Sequence, residues 1–161
     1  MSLKICFLIL SVFVCAFIGC KISNKFSARR KYFEDLLFLL NTLVSEMKFS
    51  QTNLAQVLEK NCPIKSKLRL NVDEFLDYVN GKTPTLTLSK HYLTEREYEF
   101  IKEMFSMLGR YDLDSQIYII EGFKERVNDF YAVNKEEESK KSNASKKLGI
   151  MAGLAVGLLI L

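Results

Sequence analysis

The chain has 161 residues and a formal net charge of +4, from 23 Lys and Arg against 19 Asp and Glu, a length that allows one domain plus anchors. The excess charge lies beside two apolar ends rather than along a polar face, so no nucleic-acid partner is expected. Of the four cysteines, Cys6, Cys15 and Cys20 fall inside the first apolar run and Cys62 stands alone, which excludes a disulfide framework and a cysteine metal site.

The sixteen residues from Ile5 to Cys20 carry no charge, with Lys4 and Lys21 at their edges. As a helix they would reach about 24 Å, a little short of a hydrocarbon core of about 30 Å. Leu3 and Ile22 lengthen the run if the flanking lysines snorkel. Phe17-Ile18-Gly19-Cys20 has the form of a lipoprotein cleavage box, except that Phe17 sits where Leu is preferred. Lys21, Lys25, Arg29, Arg30 and Lys31 follow with no acid among them. After cleavage at that box, this collar would have to cross the membrane. It outweighs Lys4, so the positive-inside rule predicts a permanent transmembrane helix over 1–22 with the following chain in the cytoplasm.

Residues 23–139 read as a cytosolic helical domain. Phe33, Leu36, Leu37, Leu40, Leu43, Val44 and Met47 recur at the three-and-four spacing of one helix face. That helix should fade near Phe49, before the polar break Ser50 to Asn53. A short helix from Leu54, with Leu54, Val57 and Leu58 inward, should stop at Asn61-Cys62-Pro63. Asn71 or Asp73 is expected to open a third, carrying Phe75, Leu76 and Val79 and ending at Gly81. Residues 83–92 read as a linker, although Thr85 to Leu88 alternates like a strand.

Thr94-Glu95-Arg96-Glu97 is the clearest start signal, a capping box with Leu93 and Tyr98 placed for a hydrophobic staple. Its helix should bury Tyr98, Ile101, Phe105 and Leu108 and stop at Gly109. Asp112 should cap a long helix with Leu113, Ile117, Ile120, Phe123 or Lys124, Val127, and Phe130 or Tyr131 inward. The sum is an all-α protein, a bundle of about five or six helices with its first and last continuing into the spans.

A basic juxtamembrane stalk over 140–147, with Lys140, Lys141, Lys146 and Lys147, leads to Leu148 to Leu161, fourteen residues without a polar side chain. This second expected transmembrane helix, over 148–161, reaches only about 21 Å, tolerable if the bilayer thins locally. Its cations again lie on the domain side, which puts both termini outside. Gly149, Gly153 and Gly157 recur every fourth residue, as do Ser11, Cys15 and Gly19 in the first run. Either the two spans pack along these small faces, or glycine is simply frequent in membrane helices. The cations Lys21, Lys25, Arg29, Arg30, Lys31, Lys146 and Lys147 are expected at the membrane surface, either as topology signals or in contact with acidic lipid.

No catalytic, cofactor or metal site emerges. Gly81-Lys82-Thr83 lacks the first glycine of a phosphate loop, since position 76 is Leu, and Pro84 disfavours the helix required there. Asp112, Asp114 and Gln116 have calcium-loop spacing, but Ile117 and Phe123 occupy the positions of its glycine and closing carboxylate. His91 has no ligand-type neighbour at suitable spacing. Asn143-Ala144-Ser145 is formally a glycosylation acceptor on the expected cytoplasmic side. A non-enzymatic protein is expected.

Three pieces of the chain resemble the stage III sporulation protein AB family. The first is the amino-terminal run ending in Gly19 and passing through Arg29-Arg30 into the leucine-rich helix with Glu46 near its end. The most specific is Leu108-Gly109-x-x-Asp112-x-x-x-Gln116, and the third is the basic stalk with Leu148-Gly149-x-x-x-Gly153-Leu154. Residues 60 to 93 match poorly. The resemblance implies endospore formation, in the channel complex between mother cell and forespore. It also implies likeness to the platform proteins of type II secretion and type IV pilus machines. Implied partners are a cytosolic secretion-type ATPase (stage III sporulation protein AA-like) and other membrane proteins of the channel complex. The implied location is the outer forespore membrane, with the domain in the mother-cell cytoplasm. Physically, Gly109 would end one helix, Asp112 cap the next, and Gln116 bond across the junction, a structural role preferred here to direct partner contact. Whether the chain is a homo-oligomer stays open. So do two other readings: a membrane-tethered cytosolic adaptor unrelated to sporulation, and a lipid-anchored extracytoplasmic protein.

Overall fold

The computed structural model describes residues 2–50 and 54–160, with the side chains of 2–8, 11, 50, 157, 159 and 160 outside the description. Six α-helices follow in order: α1 (Ser2–Ser50), α2 (Leu54–Asn61), α3 (Leu68–Val79), α4 (Glu95–Met107), α5 (Leu113–Glu137) and α6 (Asn143–Ile160). A π-helical segment, Glu138–Ser142, separates the last two, and the described residues contain no strand. The expected all-α class is therefore observed. Among the described residues no helix is long and apolar enough to cross a membrane. In the first expected span the side chains of 2–8 and 11, and in the second those of 157, 159 and 160, lie outside the description. The polar break at 51–53 does too.

The chain forms two compact units, one of Lys31–Ala132 and one of Met1–Arg30 with Val133–Leu161. The divisions fall at 30/31 and 132/133. The basic collar and the charged stalk group with the apolar ends because they pair with each other, as described below.

In the 31–132 unit, Phe33, Leu36, Leu40, Leu43, Val44 and Met47 of α1 are buried. Leu37 packs at the edge of the core, and Tyr32 and Leu39 widen the buried face beyond the predicted stripe. Each such aliphatic or aromatic side chain contributes about 1.5–3 kcal/mol when fully withdrawn from water. Phe130 stacks on Phe33 with ring centroids 5.4 Å apart, and Phe100 lies 5.2 Å from Phe130 and 5.6 Å from Phe123. These rings join α1, α4 and α5. Val57 and Leu58 of α2 and Leu68, Val72 and Phe75 of α3 close the core.

Three details depart from the pattern in the sequence. Helix α3 starts at Leu68, ahead of Asn71 or Asp73. A turn at Pro63, with Ser66 N–H donating to Pro63 O at 3.0 Å and Ser66 Oγ accepting from Leu68 N–H at 3.2 Å, starts it early. Asn71 is fully buried within the helix and donates Nδ2 to Ser89 O at 3.1 Å. Val79 and Leu113, expected inward, are 54% and 42% exposed. Each falls at a helix end, where the apolar stripe has already turned away from the core.

Other boundaries follow their local chemistry. At the end of α3, Gly81 has φ +74°, Lys82 N–H donates to Asp77 O at 2.9 Å and Gly81 N–H to Tyr78 O at 3.1 Å. This is the paired bonding that a left-handed glycine permits. The loop after it is held by Glu74, which accepts from Ser89 N–H at 2.7 Å and Ser89 Oγ at 2.5 Å. Leu86 and Leu88 of this loop turn onto the core without strand pairing. At the start of α4, Glu97 Oε2 accepts from Thr94 N–H at 2.8 Å while Thr94 Oγ1 accepts from Glu97 N–H at 3.4 Å, completing the capping box. Phe100 and Met104 join Ile101 and Phe105 in the core.

Tyr32 is 2% exposed and its hydroxyl has no hydrogen-bond partner. Burial, with the Cys62 thiol and the Glu74 carboxylate adding to it, pushes the phenol far above its ordinary range. The group therefore stays neutral and unsatisfied. Tyr32→Phe should raise stability by about 1 kcal/mol, since an orphan buried hydroxyl costs about 1–3 kcal/mol. Ile101→Ala should lower it by about 2–5 kcal/mol. Urea unfolding of both variants followed by circular dichroism measures the contrast, and a loss of stability in Tyr32→Phe would refute it.

Candidate functional site

Within the 31–132 unit, the turn between α4 and α5 contains the most specific sequence pattern. Gly109 takes φ +78°, a conformation that disfavours side chains. Its N–H donates to Gln116 Oε1 at 2.9 Å, and Gln116 is 2% exposed. Asp112 lies before α5, with Oδ2 accepting from Ser115 N–H at 3.2 Å and its carbonyl from Gln116 N–H at 2.8 Å. Hydrogen bonds from Ser115 hold the Asp112 carboxyl below the usual carboxylate range. Leu108 is buried. A Cβ on Gly109 would sit 3.4 Å from the Leu54 side chain, so α2 packs directly over the turn. Leu108, Gly109, Asp112 and Gln116 thus form one local lock.

The positions between these residues point outward, which sequence reasoning missed. Tyr118 is 81% and Tyr111 50% exposed. With Asp114, Ser115 and Ile119 they line a shallow groove of about 500 Å³. Two tyrosines seven residues apart, outside the apolar stripe, were the available signal.

In the other unit, α1 and α6 approach backbone to backbone. A Cβ on Gly19 would fall 2.7 Å from Ser145 O and 3.3 Å from Gly149 Cα. A Cβ on Gly149 would fall 2.7 Å from Cys15 O and 3.2 Å from Gly19 Cα. Gly153 is buried, whereas Ser11 and Gly157 lie outside the described residues. An apolar groove of about 300 Å³, lined by Cys15, Ile18, Gly19, Ile22, Ser145, Leu148, Gly149 and Ala152, accompanies the contact.

The seam continues as a polar ladder. Ser23 Oγ and Ser142 Oγ are 2.5 Å apart and buried, and Ser27 Oγ donates to Glu138 Oε1 at 2.6 Å. Arg30 Nε donates to Glu138 Oε2 at 2.5 Å and Arg29 Nη1 to Glu137 Oε2 at 3.1 Å. Lys141 Nζ also donates to Glu137, at 2.6 Å. The hydrogen bond from Ser27, followed by Arg30, holds the Glu138 carboxyl below its ordinary range. Of the expected surface cations, Arg29 and Arg30 are thus ion-paired, while Lys21, Lys25, Lys146 and Lys147 are exposed. Lys31 is exposed in the other unit. The spacing of Cys15 and Gly19 continues through Ser23 and Ser27, a signal on the α1 side of the ladder that sequence reasoning stopped short of. Its partners were hidden in the stalk.

Among the described residues no group of three or more His, Cys, Asp or Glu is placed to hold a metal ion. His91 lies in the α3–α4 loop with φ +48°, where burial and then Lys67 lower its pKa.

These features define an all-helical protein with a small-residue helix pair formed by its two ends and a separate bundle locked at one Gly-Asp-Gln junction. The family model of stage III sporulation protein AB matches residues 4–161, and the chain belongs to that family. Membership carries a role in sporulation. No curated protein and no solved structure matches the chain.

Gln116→Ala should cost about 0.5–1.5 kcal/mol by removing the hydrogen bond that holds the Gly109 N–H across the α4–α5 turn, measured by urea unfolding. An unchanged midpoint would show the lock to be dispensable.

With the native cysteines replaced, Ser23→Cys and Ser142→Cys should form a disulfide readily, and Gly149→Leu should abolish it by forcing α1 and α6 apart. The α1–α6 pairing should weaken under acid. Because its folded-state pKa is depressed, Glu138 contributes stability above the ordinary glutamate value of about 4.3. That contribution is lost as pH falls through the lower folded value. Thermal unfolding of the uncross-linked chain across this pH range tests it. Gel-shift quantification of the cross-link, formed at neutral pH with added oxidant, tests the contact, and an unaltered yield in Gly149→Leu would disprove the close approach.

Proposed function

We propose that this chain is a non-enzymatic membrane platform of the sporulation channel complex, coupling a cytosolic secretion-type ATPase to the membrane-embedded channel and required for endospore formation. Family membership supports the sporulation setting. The observation that carries the membrane reading is the surface of the α1–α6 pair. Ile9, Leu10, Phe13, Val14, Phe17, Ile18 and Ile22 are exposed on α1, as are Leu148, Ile150, Met151, Leu154, Val156 and Leu158 on α6. Two apolar helices with nothing covering their outer faces suit lipid, and a contiguous patch of this kind is rare on a soluble monomer. Small residues at the contact suit a helix pair in lipid.

Retention of the amino-terminal span, rather than cleavage to a lipoprotein, fits the same geometry. Cleavage ahead of Cys20 would remove Gly19, which packs on Ser145 and Gly149. On this reading residues 31–132 face the mother-cell cytoplasm as the ATPase-binding bundle. Tyr111 and Tyr118 are the natural anchors for that contact, since exposed tyrosine beside a shallow groove is typical of binding hot spots.

The ATPase should co-purify with the full chain from sporulating cells, and Tyr118→Ala should reduce its recovery several-fold without changing the unfolding midpoint. Sidedness is measured in the same cells. Cys62 is poorly suited to this, because it is 3% exposed and burial helps push its thiol up to about 11. A cysteine at exposed Lys102, Lys102→Cys, should resist an impermeant thiol reagent until the membrane is opened. Labelling in intact cells would overturn the topology, and loss of the ATPase from the wild-type preparation would overturn the coupling.

A further inference from the structure

The apolar groove beside the Gly19–Gly149 contact and the lysines next to it belong to one surface. Ile18 and Ile22 line the groove from α1, and Leu148 and Ala152 from α6. Lys21 and Lys25 each follow one of those isoleucines by three residues, on the same helix face. On α6, Lys146 and Lys147 fall one and two residues after the lining Ser145 and so do not share the face of the groove.

Charge is distributed unevenly around this surface. The arginines of the collar are engaged by Glu137 and Glu138, and Lys140 and Lys141 by Glu136 and Glu137. Among the described residues Lys21, Lys25, Lys146 and Lys147 make no ion pair. Lys146 is near enough to Glu138 for its charge to be felt there. Lys21 Nζ lies 5.4 Å from the centre of the Phe17 ring, at the boundary between apolar and charged residues. Two exposed ammonium groups, those of Lys21 and Lys25, therefore border an open apolar slot.

We infer that this surface is a binding site for an anionic phospholipid. One acyl chain lies along the slot between Ile18, Ile22, Leu148 and Ala152, and the phosphate and headgroup are held by Lys21 and Lys25. The inference rests on the membrane reading above. A headgroup of either charge could meet the apolar slot, but only a net negative one complements two unpaired lysines at its edge. Each cation near the surface adds to that preference.

The full chain is reconstituted into vesicles of equimolar phosphatidylcholine and phosphatidylglycerol, then extracted in mild detergent, and the retained lipid is quantified by mass spectrometry. Phosphatidylglycerol should be enriched over the bulk ratio by about fivefold. Replacing Lys21 and Lys25 by glutamine should return the ratio to that of the bulk. Ala152→Phe, which fills the slot, should lower the amount retained. Flotation with the vesicles is recorded for every variant. Equal flotation with no enrichment, or enrichment that survives the lysine replacements, overturns the lipid site and leaves the membrane reading standing. Failure of the wild-type chain to float overturns both.

Discussion

The contact between Gly19 and Gly149 is the constraint from which the arrangement of the chain's two ends follows. Neither position has room for a methyl group, because a Cβ on either would sit 2.7 Å from a carbonyl of the facing helix. An approach that close allows no sliding, so it sets the register of everything further along. Ser23 must meet Ser142, and Ser27 must meet Glu138. The π-helical segment Glu138–Ser142 lies within this run. Its ends, Glu138 and Ser142, both meet α1, with Ser142 buried and Glu138 half-buried.

The ladder also changes what the arginines can do. Arg29 and Arg30 are half-buried against Glu137 and Glu138, and the Glu138 carboxylate is shared with Ser27. Breaking such a pair by removing one member leaves an uncompensated charge in a partly dry site, which costs more than the intact pair contributes. The pairs therefore act on specificity. They penalise any register in which the stalk's acids and the collar's arginines fail to meet. The lysines, outside the ladder, remain available for other work.

Much of this was legible in the residues, for reasons that differ between the units. In the bundle, the α1 stripe, the Thr94 box and the Gly81 stop depend on interactions within a few residues, and local pattern reports those well. The start of α3 was not legible, because it depends on how the turn at Pro63 presents Leu68 to a core built by other helices. Leu113 and Val79 misled because each continues a helix period past the point where the core ends. At the chain's ends, Cys15, Gly19 and Gly149 stood out because small residues in an apolar run are conspicuous. Ser23, Ser27, Ser142 and Glu138 did not, since a serine or glutamate among lysines looks solvated. Only the pairing of two segments more than a hundred residues apart makes them a face.

That pairing bears on the argument for sidedness. If Arg29 and Arg30 are neutralised in the fold, the collar is less positive than its composition suggests, and the topology rule could seem weakened. It is not, because the rule counts lysine and arginine and gives acidic residues little weight. During synthesis Arg29 and Arg30 also emerge long before Glu137 and Glu138, so on the proposed membrane reading the collar would orient the first span while still unpaired. When the stalk arrives, its glutamates would find a collar already placed. On that reading the same two arginines serve in sequence, first as an orientation signal and afterwards as the partners of Glu137 and Glu138.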